Sequence, residues 1–179
     1  MSLLWLAVSV TASAAELFGT VVAVADGDTV TLLDASNLQH KVRLSGIDAP
    51  ERRQAYGEKA RQNLAANVHH KAVLVVWKKE DRYGRIVGRV LLASCAHSGC
   101  GYTIDAGLEQ IRAGLAWHYK QYAHEQPIAE RLRYAEAERQ ARVNRAGLWR
   151  EESPVPPWAF RRHADSGFSV YASASIERR

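Results

Sequence analysis

Five short strand-like segments, with one helical stretch inserted after the third, constrain this chain more than any other feature of its sequence. Phe18 to Ala25 reads as a strand that ends in the turn signal Asp26-Gly27-Asp28. Thr29 to Asp34 is a second strand, and Lys41-Val42-Arg43-Leu44-Ser45 is a third. The third alternates polar and apolar residues, so Val42 and Leu44 belong to the core side and Arg43 to the opposite face. Ile47-Asp48-Ala49-Pro50-Glu51 breaks the pattern, because proline cannot continue a strand ladder. Tyr56 to Val68 is rich in good helix formers. Ala72 to Trp77 is a buried strand, and the turn Asp81-Arg82-Tyr83-Gly84-Arg85 leads into the strand Ile86 to Leu92. Asp105 to Ala113 and Pro127 to Val143 read as helices, the second with proline in its first turn and Gly147 beyond its end. Few strands of this length can bury one face without closing on themselves. The expected class is α+β, a five-stranded OB-fold barrel with about three α-helices.

With 179 residues the chain can bury one sizeable core, and length favours a single domain. The formal net charge is +5, and residues 151–179 carry four basic and four acidic side chains. Residues 1–15 carry no charged side chain, so the excess sits between Glu16 and Arg150, where the functional domain (16–150) must lie. Leu3 to Val10 is apolar and is followed by Thr-Ala-Ser-Ala-Ala, so residues 1–15 are expected to be a signal peptide cleaved after Ala14 or Ala15. That run is too short to span a bilayer, and no other segment offers a stable membrane insertion. No Lys or Arg precedes it, a departure from the usual signal pattern. The expected location is periplasmic or secreted, from a bacterium. On export, Cys95 and Cys100 read as a local disulfide, since their spacing matches no common zinc pattern even with His97. Residues 151–179, opening on Ser153-Pro154-Val155-Pro156-Pro157, read as a C-terminal tail with Trp158 and Phe160 as its docking side chains.

Three motifs occur in order: Asp26-Gly27-Asp28-Thr29-Val30, then Val42-Arg43-Leu44-Ser45-Gly46-Ile47-Asp48-Ala49-Pro50-Glu51, then Asp81-Arg82-Tyr83-Gly84-Arg85. Two carboxylates, Asp28 and Asp48, offer oxygen donors to a hard cation. Arg43 and Arg85 can each hold two oxygens of one phosphate, which lysine cannot. Phosphodiester hydrolysis needs both kinds of group, because attack adds negative charge to a centre that is already anionic. The set resembles the thermonuclease (staphylococcal-nuclease-like) family, from about Gly19 to Trp149. Gly114-Leu115-Ala116-Trp117 and Ala146-Gly147-Leu148-Trp149 resemble later segments of it.

That resemblance implies a nuclease acting on DNA and RNA, single strands favoured, with Ca²⁺ as cofactor. Asp28, Asp48 and the carbonyl of Ala49, where the family often has threonine, would be the metal ligands. With so few protein oxygens, such a site should bind calcium weakly when substrate is absent. Arg43 and Arg85 would be catalytic, and Glu51 matches the proposed general base. A carboxylate beside a cation and two arginines is kept ionised, however, which makes it a poorer base, and orienting a metal-bound hydroxide is the alternative role for Glu51. Arg82, Tyr83, Tyr119 and Tyr122 are the substrate-binding candidates, the tyrosines as stacking surfaces. Water would attack phosphorus and the 5′ oxygen would leave, giving 3′-phosphate ends with little sequence preference. Arg43→Ala or Arg85→Ala should then abolish most turnover and leave folding largely intact. His69, His70, His118 and His124 belong to no motif and are expected at solvated helix ends. The expected state is a monomer. The alternative is a noncatalytic OB-fold module that binds single-stranded nucleic acid or protein; retention of Asp28, Arg43, Asp48, Glu51 and Arg85 argues against it. A phosphodiesterase with a narrow substrate is a third reading.

Overall fold

Residues 14–95 and 99–165 are described by the computed structural model, 163–165 by backbone alone. The apolar run Leu3 to Val10, read above as part of a signal peptide, lies outside them, as do His97 and the end of the chain. Among the described residues no helix is long and apolar enough to cross a membrane.

The strands are β1 (Ala15–Val24), β2 (Thr29–Asp34), β3 (Gln39–Leu44), β4 (Ile47–Asp48), β5 (Ala72–Glu80), β6 (Ile86–Ala93), β7 (Tyr102–Asp105) and β8 (Trp117–His118). The helices are α1 (Gly57–Val68), α2 (Ala106–Arg112), α3 (Ile128–Val143) and α4 (Pro157–Asp165). β1 pairs antiparallel with β2 and β5, β2 with β3, and β5 with β6. β3 and β6 then pair in parallel, Val42 opposite Ile86, and close a ring of five. An odd ring cannot alternate strand direction all the way round, so one parallel pair is unavoidable, and β3–β6 is that pair. Irregular register at Val21/Ala23 in β1 and Trp77/Lys79 in β5 bends the two longest strands around the ring. The expected OB-fold plan is present, with α1 inserted between β3 and β5. It is not a bare barrel, because β7 extends the sheet outward from β6.

Inside the ring lie Val21, Val30, Leu32, Val42, Leu44, Val73, Val75 and Val90, all buried. α1 seals the core with Ala60, Leu64 and Val68, one helical face at spacings of four. Gly57 opens this helix where a Cβ would stand 1.9 Å from the Glu51 carbonyl oxygen, so glycine there lets the loop after β4 lie against the helix start. α2 begins at Asp105, whose carboxylate accepts from the N–H groups of Gly107 and Leu108 and from the Tyr134 hydroxyl of α3.

β4, β8 and α4 depart from the sequence expectations. Ile47 and Asp48, in the segment expected to break strand pairing, form a two-residue ladder with His118 and Trp117. Their partner is some seventy positions away, beyond the reach of any local pattern. α4 lies within the expected tail. Proline at its first position suits a helix start, and Trp158 and Arg161 are three apart on one face.

Candidate active site

The Asp26-Gly27-Asp28 turn joins β1 to β2, and three contacts fix it. The Asp28 N–H donates to Asp26 Oδ1 at 3.0 Å, and the Leu44 N–H donates to the Asp28 carbonyl at 2.8 Å. From α2, the wholly buried Gln110 side chain donates to the carbonyls of Gly27 (2.8 Å) and Ala60 (2.9 Å) and accepts from Asn63 Nδ2 at 2.5 Å. A Cβ at Gly27 would stand 2.7 Å from Ala49 Cβ and 2.6 Å from Ala60 Cβ, so glycine allows the turn to pack on the segment after β4.

Asp48 is brought to this turn by the β4–β8 pair. β8 is held in turn by α3: the His118 N–H donates to Glu138 Oε1 at 3.2 Å, and His118 Nε2 lies 2.9 Å from Gln126 Oε1. Burial pushes the His118 imidazole below its ordinary pKa, the Gln126 bond opposing. His118 is therefore a buried structural residue and not the solvated one expected, because strand pairing with Ile47 turns it inward onto Tyr134. His69 and His70 are exposed, stacked on one another at 3.8 Å, and His124 is exposed.

Arg43 projects from β3 between the two carboxylates. Its Nη2 lies 2.8 Å from Asp48 Oδ1 and 3.4 Å from Asp28 Oδ2. Asp28 Oδ2 also accepts the Ala49 N–H at 3.2 Å, and Oδ1 accepts the Thr29 hydroxyl at 2.9 Å. Asp48 has no exposed side-chain surface, whereas Arg43 keeps 19% of its own. Burial opposes the charge on Arg43, but Asp28 and Asp48 outweigh it and raise its pKa. Burial raises Asp48, against the opposing bond from Arg161. Asp26 is pushed up to about 7 by burial and by the neighbouring Asp28 charge. Carboxylates crowded this way are short of positive charge.

Glu51 follows on the loop, more than a third exposed, and its Oε1 accepts from Arg161 Nη1 at 2.7 Å. Arg161 was not anticipated by sequence. Its guanidinium forks onto Asp48 as well, Nη2 to Oδ2 at 2.7 Å and Nη1 to Oδ1 at 3.2 Å. Burial works against its charge, but the bonds to Asp48 and Glu51 raise its pKa. A proline-opened helix start followed by Trp158 and Arg161 on one face was the available signal. Gln110 carried no signal beyond standing in a helix.

Arg85 precedes β6. The β3–β6 register puts it beside Lys41 and on the same face as Arg43. Its own contacts are to Asp81, Nε to Oδ2 at 2.8 Å and Nη2 to Oδ2 at 2.7 Å, with the guanidinium 5.5 Å from the Tyr83 ring centre. The Arg82 guanidinium lies 5.3 Å from the same Tyr83 ring centre, and Tyr83 is 71% exposed. Tyr119 stands nearer the carboxylates, with the Arg43 guanidinium 5.9 Å from its ring centre. Tyr122 contacts Tyr119 edge-on at 5.3 Å and is exposed. Asp28, Arg43, Asp48, Glu51 and Tyr119 thus converge, while Arg82, Tyr83 and Arg85 form a second cluster on the turn before β6. Cys95 and Cys100 are joined at the far end of β6, with Cα atoms 5.7 Å apart.

The acidic groups that converge, Asp28, Asp48 and Glu51, offer only oxygen donors, and Asp28 and Asp48 both contact Arg43. This donor set fits a hard divalent cation. Among the described residues no three His, Cys, Asp or Glu side chains converge as a closed cage. A cation here would rest on Asp28, Asp48 and the neighbouring backbone, with water or a phosphate filling the remaining positions.

Residues 41–151 match the family model described as staphylococcal nuclease homologue. The chain is 41% identical over 163 residues to Protein ParB of Escherichia coli, covering 90% of this chain and 89% of that one. It is 38% identical over 148 residues to a micrococcal nuclease of Shigella flexneri (83% and 82% covered). It is also 38% identical over 142 residues to an uncharacterized endonuclease of Haemophilus influenzae (79% and 71% covered).

Proposed function

The chain belongs to the staphylococcal nuclease family, and on that premise we propose that it is a calcium-dependent nuclease that hydrolyses phosphodiester bonds of DNA and RNA. The observation that carries this reading is the convergence of Asp28 and Asp48 on the single guanidinium of Arg43. Paired carboxylates repel a phosphate unless a cation intervenes, so the arrangement suits catalysis better than simple strand binding.

Asp28 and Asp48, with the Ala49 carbonyl, would hold the cation, whose contribution is to neutralise and polarise the phosphate. Arg43 sits beside that position, ready to bond a phosphate oxygen and to strengthen that bond as charge develops. Arg85 approaches from β6 and exchanges its Asp81 partner for phosphate. Glu51 lies next along the chain, exposed to solvent, and takes the proton from the attacking water. The 5′ oxygen leaves, and 3′-phosphate ends result. Tyr119 and Tyr122 offer ring faces to unpaired bases, and Arg82 and Tyr83 a further phosphate and base contact, which favours single strands. Export to the periplasm or medium and a monomeric state complete the reading.

The test is hydrolysis of single-stranded DNA by purified protein, first with calcium and then with excess chelator. Calcium-dependent cleavage that is lost in Glu51→Gln supports the enzyme and its site together. A folded protein that binds the strand and cuts it under neither condition is a binding module instead.

A further inference from the structure

α4 covers the site in two places. At one end the Arg161 fork takes both oxygens of Asp48 and one of Glu51. At the other, the Trp158 indole lies nearly parallel to the Tyr119 ring, 27° and 5.5 Å between centroids, and meets Trp117 edge-on at 5.6 Å. The approach to the helix is pinned as well: Gln54, which bonds the Glu51 backbone, donates its side-chain N–H to the Val155 carbonyl. A guanidinium thus stands on Asp48, one of the two carboxylates that would hold a cation, and an indole on the face where a nucleobase would stack.

The two occupants cannot share Asp48. A divalent ion at that carboxylate would lie within a few ångströms of the Arg43 and Arg161 charges, in a site where burial leaves little screening. Arg43 is fixed in the barrel wall. Arg161 is 40% exposed on a short helix beyond the barrel and is the group free to leave.

We propose that α4 is an autoinhibitory strap: Arg161 occupies Asp48 in place of the divalent cation and ties up Glu51 beside it, Trp158 substitutes for a base on Tyr119, and cation with substrate displaces both. This rests on the reading of Asp28 and Asp48 as the cation site. Binding of calcium alone is weakened because only molecules with the strap undocked are competent for it, so the exposed active enzyme is reached most readily when ion and strand are both present.

The experiment is calorimetric titration of the full chain with calcium chloride, alongside tryptophan emission, for wild type, Arg161→Gln and Trp158→Ala. Arg161→Gln should tighten calcium binding about ten- to a hundred-fold, the range for charge-assisted bonds of this kind. Trp158→Ala keeps the Arg161 charge but loosens the strap, and it should tighten binding in the same direction. In wild type, calcium should shift the tryptophan emission, and Trp158→Ala should abolish the shift. Both variants should cut single-stranded DNA faster than wild type at limiting calcium. Wild-type calcium affinity in both variants, with calcium-dependent cleavage intact, overturns the strap and leaves the nuclease reading standing. Tighter binding in Arg161→Gln alone overturns it too, because loss of a nearby charge then suffices. Loss of cleavage at saturating calcium in Arg161→Gln overturns it by making Arg161 part of the catalytic machinery. If none of the three proteins binds calcium or cleaves, strap and nuclease reading fall together.

Discussion

Arg43 and Arg85 are equivalent by sequence, and the structure separates them. Arg43→Ala removes a cation from Asp48, which has no exposed surface, and from Asp28. Breaking a buried pair costs about 3–5 kcal/mol when the remaining charge is stranded. Here Asp48 keeps Arg161 and Arg43 is partly exposed, so about 2–3 kcal/mol is expected. For a domain of this size each kcal/mol moves the melting temperature about 2–4 °C, giving a drop of about 4–12 °C. Arg85→Ala removes a partly exposed pair within one turn, about 0–1 kcal/mol and less than about 4 °C. Arg43→Ala is therefore expected to lower stability more than Arg85→Ala. Both should lower turnover about 10²–10³-fold, the scale of losing one donor to a developing oxyanion. Arg43→Lys should recover most of the stability and little of the turnover, because the charge returns without the fork. Thermal unfolding followed by circular dichroism, without and with calcium, reads these differences. Calcium should raise the melting temperature of Arg43→Ala more than that of wild type, since the cation replaces the missing charge. Equal melting temperatures for Arg43→Ala and Arg85→Ala in chelator would refute the reasoning.

Gln110→Leu strands the buried Gly27 and Ala60 carbonyl contacts and frees the half-buried Asn63 side chain. It should cost about 2–4 kcal/mol in urea unfolding and weaken calcium binding through the loosened Asp26–Asp28 turn. His118 has a folded-state pKa below its unfolded value of 6.5, so its contribution to stability is full above pH 6.5 and is lost as pH falls below it. Asp26, raised to about 7, works oppositely over the same range. The measurable quantity is thus the difference between wild type and His118→Gln in urea unfolding, which should shrink as pH falls from 7 to 5. Replacing Cys95 and Cys100 together by serine opens a short loop far from Asp48 and should cost about 2 kcal/mol by thermal unfolding, with turnover unchanged.

Much of the barrel is written in short-range pattern. Alternation in residues 41–45 fixed which side of β3 faces the core, and so sent Arg43 to the other face. Turn residues set the β1–β2 link and with it Asp28. Proline marked the start of α3, whereas the helix ends at Val143, ahead of Gly147. Chemistry-bearing residues were legible because they sit inside such turns and strand ends, with order along the chain preserved. Contacts between distant segments were not legible, because periodicity reports that a residue is amphipathically placed but not what covers it. The parallel β3–β6 closure, the β4–β8 ladder that buries Asp48 and His118, and the Gln110 tie to Gly27 all join positions 44 to 83 apart. α4 is the sharpest case. A short proline-led segment reads as a tail because it cannot bury enough apolar surface alone, and only the folded barrel supplies the Trp117 and Tyr119 rings and the Asp48 carboxylate on which it docks.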